Sequence, residues 1–96
     1  MIKEGRQVLL IVDDSVLICE QIKTAMKEEK VFVCEAHTGQ EASEMMERYH
    51  PDVVLLDVVL PDADGYELFG RLKELDKNDA SIIFLTSKAN DEDVVK

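Results

Sequence analysis

The chain has 96 residues, which suits one domain with a single modest core, since a protein of this size buries only about 60–65% of the surface its unfolded form exposes. Its 21 acidic against 11 basic residues give a formal charge of −10, which repels nucleic-acid phosphates and argues against direct nucleic-acid binding. A hydrophobic fraction of 46% and a mean hydropathy near zero argue against disorder, and no apolar run approaches the roughly 20 residues that a membrane span needs.

Residues 1–7, Met-Ile-Lys-Glu-Gly-Arg-Gln, carry charge without an apolar stretch. They read as an N-terminal tail with no secretory signal, and the chain as cytoplasmic and without membrane attachment. Val8 to Val12 is β-branched and leucine-rich without alternation, as in a strand covered on both faces, and it ends in Asp13 and Asp14. Ser15 is a good helix N-cap. Ile18, Ile22, Ala25 and Met26 follow on one helical face, with Lys27 to Lys30 as the polar end of that helix.

Val31 to Ala36 reads as a second strand. No Gly ends the helix before it, so Lys30 is expected to take the left-handed conformation. Thr38-Gly39 breaks the chain, Gln40 to Arg48 forms a second helix with Ala42, Met45, Met46 and Tyr49 on its inner side, and Pro51 closes it. Val53 to Leu56 is a third strand that delivers Asp57 to its far end. Val58 to Asp64 is a loop punctuated by Pro61, and Gly65 opens a helix from about Tyr66 to Leu75 with Leu68, Leu72 and Leu75 on one face. Ser81 to Leu85 is a fourth strand ending in the hydroxyls of Thr86 and Ser87. Asn90 caps a further helix whose first turn holds Asp91, Glu92 and Asp93.

Strands alternating with helices long enough for right-handed crossovers predict an open doubly wound α/β fold with a parallel sheet. Ligands of such sheets sit outside the carboxyl ends of the strands, where Asp13, Asp14, Asp57 and Thr86 all fall. Carboxylates a few ångströms apart cannot all stay ionised unaided, so the cluster must bind a cation or hold protons. Oxygen donors without Cys or His suit Mg²⁺, which commonly bridges carboxylates and waters to a phosphate. Asp57, alone at the tip of a buried strand, is the better nucleophile toward phosphorus, while Asp13 and Asp14 read as paired ligands. Thr86 can donate a hydrogen bond to a phosphoryl oxygen. Asp62 and Asp64 belong to the same local excess of acid, which a divalent metal would offset. For any single Asp at a strand end, capping a loop or helix is the commoner role.

Other residues have weaker claims. His37 follows the second strand at the same edge, where a lone loop histidine is more often solvated than a ligand. His50 lies at the opposite end and reads as structural. Cys19 and Cys34 are too widely spaced for a Cys-x-x-Cys motif and read as buried free thiols in a reducing compartment.

The acidic pair Asp13-Asp14 followed by Ser15, the segment Pro51-Asp52 through Asp57, the following Pro61 and Gly65, and Leu85-Thr86-Ser87-Lys88 together resemble the receiver domain of two-component response regulators. The likeness covers residues 8–96. It implies a flavodoxin-like, CheY-like fold with strand order 2-1-3-4-5. It also implies that Asp57 accepts a phosphoryl group from a phosphohistidine on a sensor histidine kinase or phosphotransfer protein. By the same resemblance Asp14, Asp57 and the backbone carbonyl of Val59 hold Mg²⁺, Asp13 assists through water, and Thr86 is the switch hydroxyl. Such a protein is a signalling switch rather than an enzyme. Ser87 stands where the family more often has Ala.

In the family the chain continues through the rest of a fourth helix, a fifth strand bearing a Lys, and a fifth helix. The 96 residues stop before these, so the fourth strand is expected to be a bare hydrophobic edge, and the chain either to pair through it in a homodimer or to be an excerpt of a longer protein. The alternative reading is therefore a non-phosphorylatable dimerisation or docking module. An aspartate-nucleophile phosphatase fits less well, because Val59 stands where such enzymes have a second Asp. A nucleotide hydrolase fits least, there being no Gly-x-x-x-x-Gly-Lys loop.

Overall fold

Each apolar run of the sequence becomes a strand of one parallel sheet in the computed structural model, which describes residues 7–85. The elements in chain order are β1 (Gln7–Val12), α1 (Val16–Ala25), β2 (Val31–Ala36), α2 (Gly39–Tyr49), β3 (Val53–Asp57), α3 (Gly65–Leu75) and β4 (Ser81–Leu85). The strands lie in the order β2-β1-β3-β4, as expected for a doubly wound sheet, and β4 forms an edge among the described residues. Thr86, Ser87, Lys88 and the helix expected after Asn90 lie outside the described residues.

The period of two along each strand sorts the core into two layers. Leu10, Val12, Val54 and Leu56 point to one face and pack on Ala42 and Met46 of α2 and Leu68 and Leu72 of α3. Leu9 and Ile11 point to the other and pack on Cys19 of α1, with Ile22, Met26, Val31, Val33, Val53 and Leu55 around them. Val8 to Val12 is buried throughout, which accounts for its lack of alternation. Each fully buried leucine is worth roughly 1.5–3 kcal/mol over its exposed state. Phe84 joins β4 to α3, its ring 5.0 Å from that of Tyr66 and 5.5 Å from that of Phe69. Neither cysteine is disulfide-bonded, and burial pushes the thiols of both Cys19 and Cys34 up to about 11. Among the described residues no helix is long and apolar enough to cross a membrane.

Two expectations at the end of α1 are corrected. The helix stops at Ala25 with Met26 as its C-cap, so Lys27 to Lys30 are not its polar end. Turn bonds from Lys27 N to Thr24 O (3.2 Å) and from Glu29 N to Met26 O (3.0 Å) carry the chain onward instead. Because the chain unwinds over several residues rather than at one sharp stop, Lys30 needs no left-handed backbone. That conformation falls on His50 (φ 48°) and Asp79 (φ 54°). Two boundaries also shift slightly: Thr38 caps α2 and Gly39 is already helical, and Gly65 belongs to α3.

The amino ends of the strands are tied together by side chains. Asp52 accepts the Val8 N–H at 2.8 Å through Oδ2 and a hydrogen bond from Asn78 Nδ2 at 2.7 Å through Oδ1. The same Asn78 nitrogen reaches the carbonyls of His50 (3.1 Å) and Pro51 (3.2 Å). His50 is the left-handed cap of α2, which agrees with its structural reading.

Candidate functional site

At the opposite, carboxyl edge the register does the positioning. Val12 pairs with Ala36 on one side and Leu56 on the other, so β1 and β3 end level and their next residues, Asp13 and Asp57, arrive side by side. Asp13 extends the ladder by one bond, its N–H reaching Ala36 O at 3.0 Å. Its Oδ1 accepts from Ser15 N at 2.9 Å, a local turn that swings the chain into α1. Ser15 then caps that helix, its hydroxyl oxygen accepting from Ile18 N at 3.3 Å.

Asp57 closes β3 and is fully buried, as is Asp13, whereas Asp14 is exposed. One carboxylate oxygen from each of the three lies within 4.8 Å of the others. The expected convergence of Asp13, Asp14 and Asp57 is therefore present. Three carboxylates this close repel strongly, and two of them are cut off from bulk water. An all-oxygen donor set with one solvent-facing member fits a hard divalent cation that keeps part of its hydration shell, as Mg²⁺ does.

The loop after Asp57 folds back against the strand end. Val59 donates its N–H to Asp57 Oδ1 at 3.2 Å and forms an isolated antiparallel bridge with Asp64. The Val59 N–H is thereby held against the Asp57 carboxylate. Gly65 N reaches Val58 O at 2.9 Å, an approach that only glycine permits: a Cβ there would lie 2.5 Å from Val58 Cα and 2.6 Å from Asp57 O. Gly65 thereby sets how closely α3 begins behind the buried carboxylate.

Asp62 and Asp64 stand apart from the cation cluster. Asp64 is the N-cap of α3, accepting from Tyr66 N at 3.0 Å. Asp62 reaches across to α2, where Oδ1 accepts from Gly39 N at 2.7 Å and Oδ2 from Gln40 N at 3.2 Å. The Gly39 bond is the main reason its carboxyl is held below the usual range. Sequence reasoning missed this cap because its partners are 22 and 23 residues away. Thr86 lies outside the described residues.

Residues 9–96 match the response regulator receiver domain family. Over 92 residues the chain is 41% identical to the chemotaxis protein CheY of Halobacterium salinarum, covering 96% of this chain and 75% of that one. It is 38% identical over 90 residues to the cell cycle response regulator CtrA of Brucella ovis, covering 94% of this chain but 38% of that one. It spans a similarly small share, 31%, of the transcriptional regulatory protein TrcR of Mycobacterium tuberculosis. Among solved structures, the N-terminal domain of a response regulator receiver protein from Methanoculleus marisnigri superposes with a TM-score of 0.77 at 29% identity, covering 93% of this chain and 74% of that one. The fold is likewise that of Vibrio cholerae CheY4, with a TM-score of 0.80 at 24% identity over 95% of this chain and 77% of that one. With this match in sequence, in fold and in the acidic edge of the sheet, the chain belongs to the response regulator receiver domain family.

Proposed function

We propose that residues 8–96 work as a phosphoacceptor switch in a two-component pathway, with Asp57 as the phosphorylated residue. The observation that carries this reading is the burial of Asp57 at the tip of β3 within 4.8 Å of two further carboxylates. Of the three, Asp57 alone is a strand residue, so the sheet fixes its position.

The phosphoryl donor is a phosphohistidine of a sensor kinase or phosphotransfer protein. An oxygen of Asp57 forms the new bond to phosphorus while the P–N bond breaks, and the imidazole leaves with the electron pair and takes up a proton. Asp14, Asp57 and the Val59 carbonyl would hold Mg²⁺, with Asp13 assisting through water. When bound, the cation offsets the negative charge that builds up where carboxylates meet a phosphate. The chain's own contribution is to hold Asp57 in place. The Val59 N–H fixes one of its oxygens, and Gly65 lets the following helix begin close behind it. Thr86 serves as the switch hydroxyl, turning toward the phosphoryl group and changing the surface a partner meets.

Incubation with acetyl phosphate and Mg²⁺ is expected to add one phosphoryl group to the intact mass, and Asp57→Asn to abolish that addition. A folded wild-type sample whose mass never changes would overturn the reading and favour a docking module that takes no phosphoryl group.

A further inference from the structure

A second group of metal-ligating side chains lies at the β2 edge, on the α1 face of the sheet. Glu35 follows Val31 and Val33 at the period of two, toward the layer that contains Cys19, and His37 stands just past the end of β2. One ligand atom from each of Cys19, Glu35 and His37 lies within 4.8 Å of the others. Donors on one tetrahedral Zn²⁺, with bonds of about 2.0–2.3 Å, stand roughly 3.3–3.8 Å apart. The three side chains are therefore about an ångström from closing on such an ion, a distance within the reach of rotamer adjustment.

We propose that Cys19, Glu35 and His37 form a Zn²⁺ site separate from the carboxylate cluster. Three further observations support it. The buried His37 Nε2 lies 3.4 Å from Glu35 Oε2 and makes no aligned hydrogen bond, so these two donors are neighbours before any ion binds. Glu35 Oε1 is engaged by Lys23 Nζ at 3.4 Å, which leaves Oε2 as the ligating oxygen and Lys23 as the group that orients it. Cys19 is fully buried while the side chains of Glu35 and His37 are 21% and 39% exposed. The site thus has a closed floor and an open mouth where water completes a fourth position.

The donor set separates the two sites chemically. Sulfur and imidazole select Zn²⁺ over Mg²⁺, whereas the all-oxygen cluster suits Mg²⁺. On binding, the Cys19 S–H bond is replaced by a Zn–S bond and the proton leaves to solvent. The site then holds one thiolate and one carboxylate against two positive charges. The thiol hydrogen otherwise donates to Asp13 O at 3.7 Å, so the two sites share a wall.

The test is Co²⁺ titration of the full chain in excess Mg²⁺, which keeps the carboxylate cluster filled, followed by Zn²⁺ displacement. One Co²⁺ per chain is expected, with thiolate-to-metal absorption that Zn²⁺ removes. Cys19→Ser should eliminate this absorption, and His37→Gln and Glu35→Gln should each weaken binding at least tenfold. Cys34→Ser, on the opposite face of the sheet, should change neither. Should Cys19→Ser fail to fold, the two variants at the open mouth decide alone. Absorption that survives Cys19→Ser, is lost with Cys34→Ser, or is indifferent to both His37→Gln and Glu35→Gln would overturn the proposal.

Discussion

At the scale of single residues, the chain uses aspartate in three physically different ways that its spelling does not separate. The convergence of Asp13 and Asp57 was legible because each directly follows an apolar run, and a strand buried on both faces must release its first polar side chain at the sheet's edge. Asp64 was legible as a cap only in hindsight, and Asp62 not at all, since its partners Gly39 and Gln40 are distant in sequence. The depressed carboxyl of Asp62 has a pH consequence. A group whose folded value lies below its unfolded one stabilises the fold fully above the unfolded value, about 3.9 for Asp, and loses that contribution as pH falls through the folded value. In denaturant titrations the wild type should therefore exceed Asp62→Asn by a constant margin at neutral pH. The margin should shrink as the solution is acidified below about pH 4. A margin unchanged at low pH would show that the charge of Asp62 is not what α2 requires.

Among the elements, strands were read more accurately than helix ends. Strand limits follow from where continuous apolar residues stop. A helix end depends on competing turn bonds, as between Thr24 and Glu29, that no composition rule resolves. His37 is a related case: as a lone loop histidine it had no visible partner, and the packing of α1 against β2 brings it near Glu35 and Cys19. In the α3–β4 connection, Asn78 fastens the start of β3 through three oxygens. Asn78→Ala leaves those half-buried acceptors short of a donor and should cost about 1–3 kcal/mol in chemical denaturation. Phosphorylation of the folded variant should proceed as in the wild type, because the contact lies at the end of the sheet remote from Asp57. Loss of both stability and phosphoryl uptake would contradict this division.

For the molecule as a whole, the parallel sheet was legible in the alternation of strands and helices and its order in the family resemblance, whereas the two layers of the core emerge only in the structure. The net charge of −10 carries a further consequence. Self-repulsion works against the compact state, and it is concentrated where Asp13, Asp14 and Asp57 converge. Mg²⁺ that binds the folded state alone should stabilise it by about 2.7 kcal/mol at a concentration 100 times its dissociation constant. Thermal unfolding with added MgCl₂, set against NaCl of equal ionic strength, checks this. The specific increment should largely vanish in Asp57→Asn, while the screening effect common to both salts persists.

The knot of bonds around Asp52 and Asn78 also bears on motion. Amide protons at that pole, including those of Val8, Asp52 and Ser81, are held by cross-strand bonds that all converge on Asp52 or Val8. At the other pole the Val59 amide rests on a carboxylate whose charge the proposed chemistry would alter. Local opening is governed by the bonds an opening must break, so hydrogen exchange should run slow near Asn78 and fast in the loop after Asp57. On that pattern one end of the sheet is expected to serve as an anchor while the other rearranges without unravelling the whole.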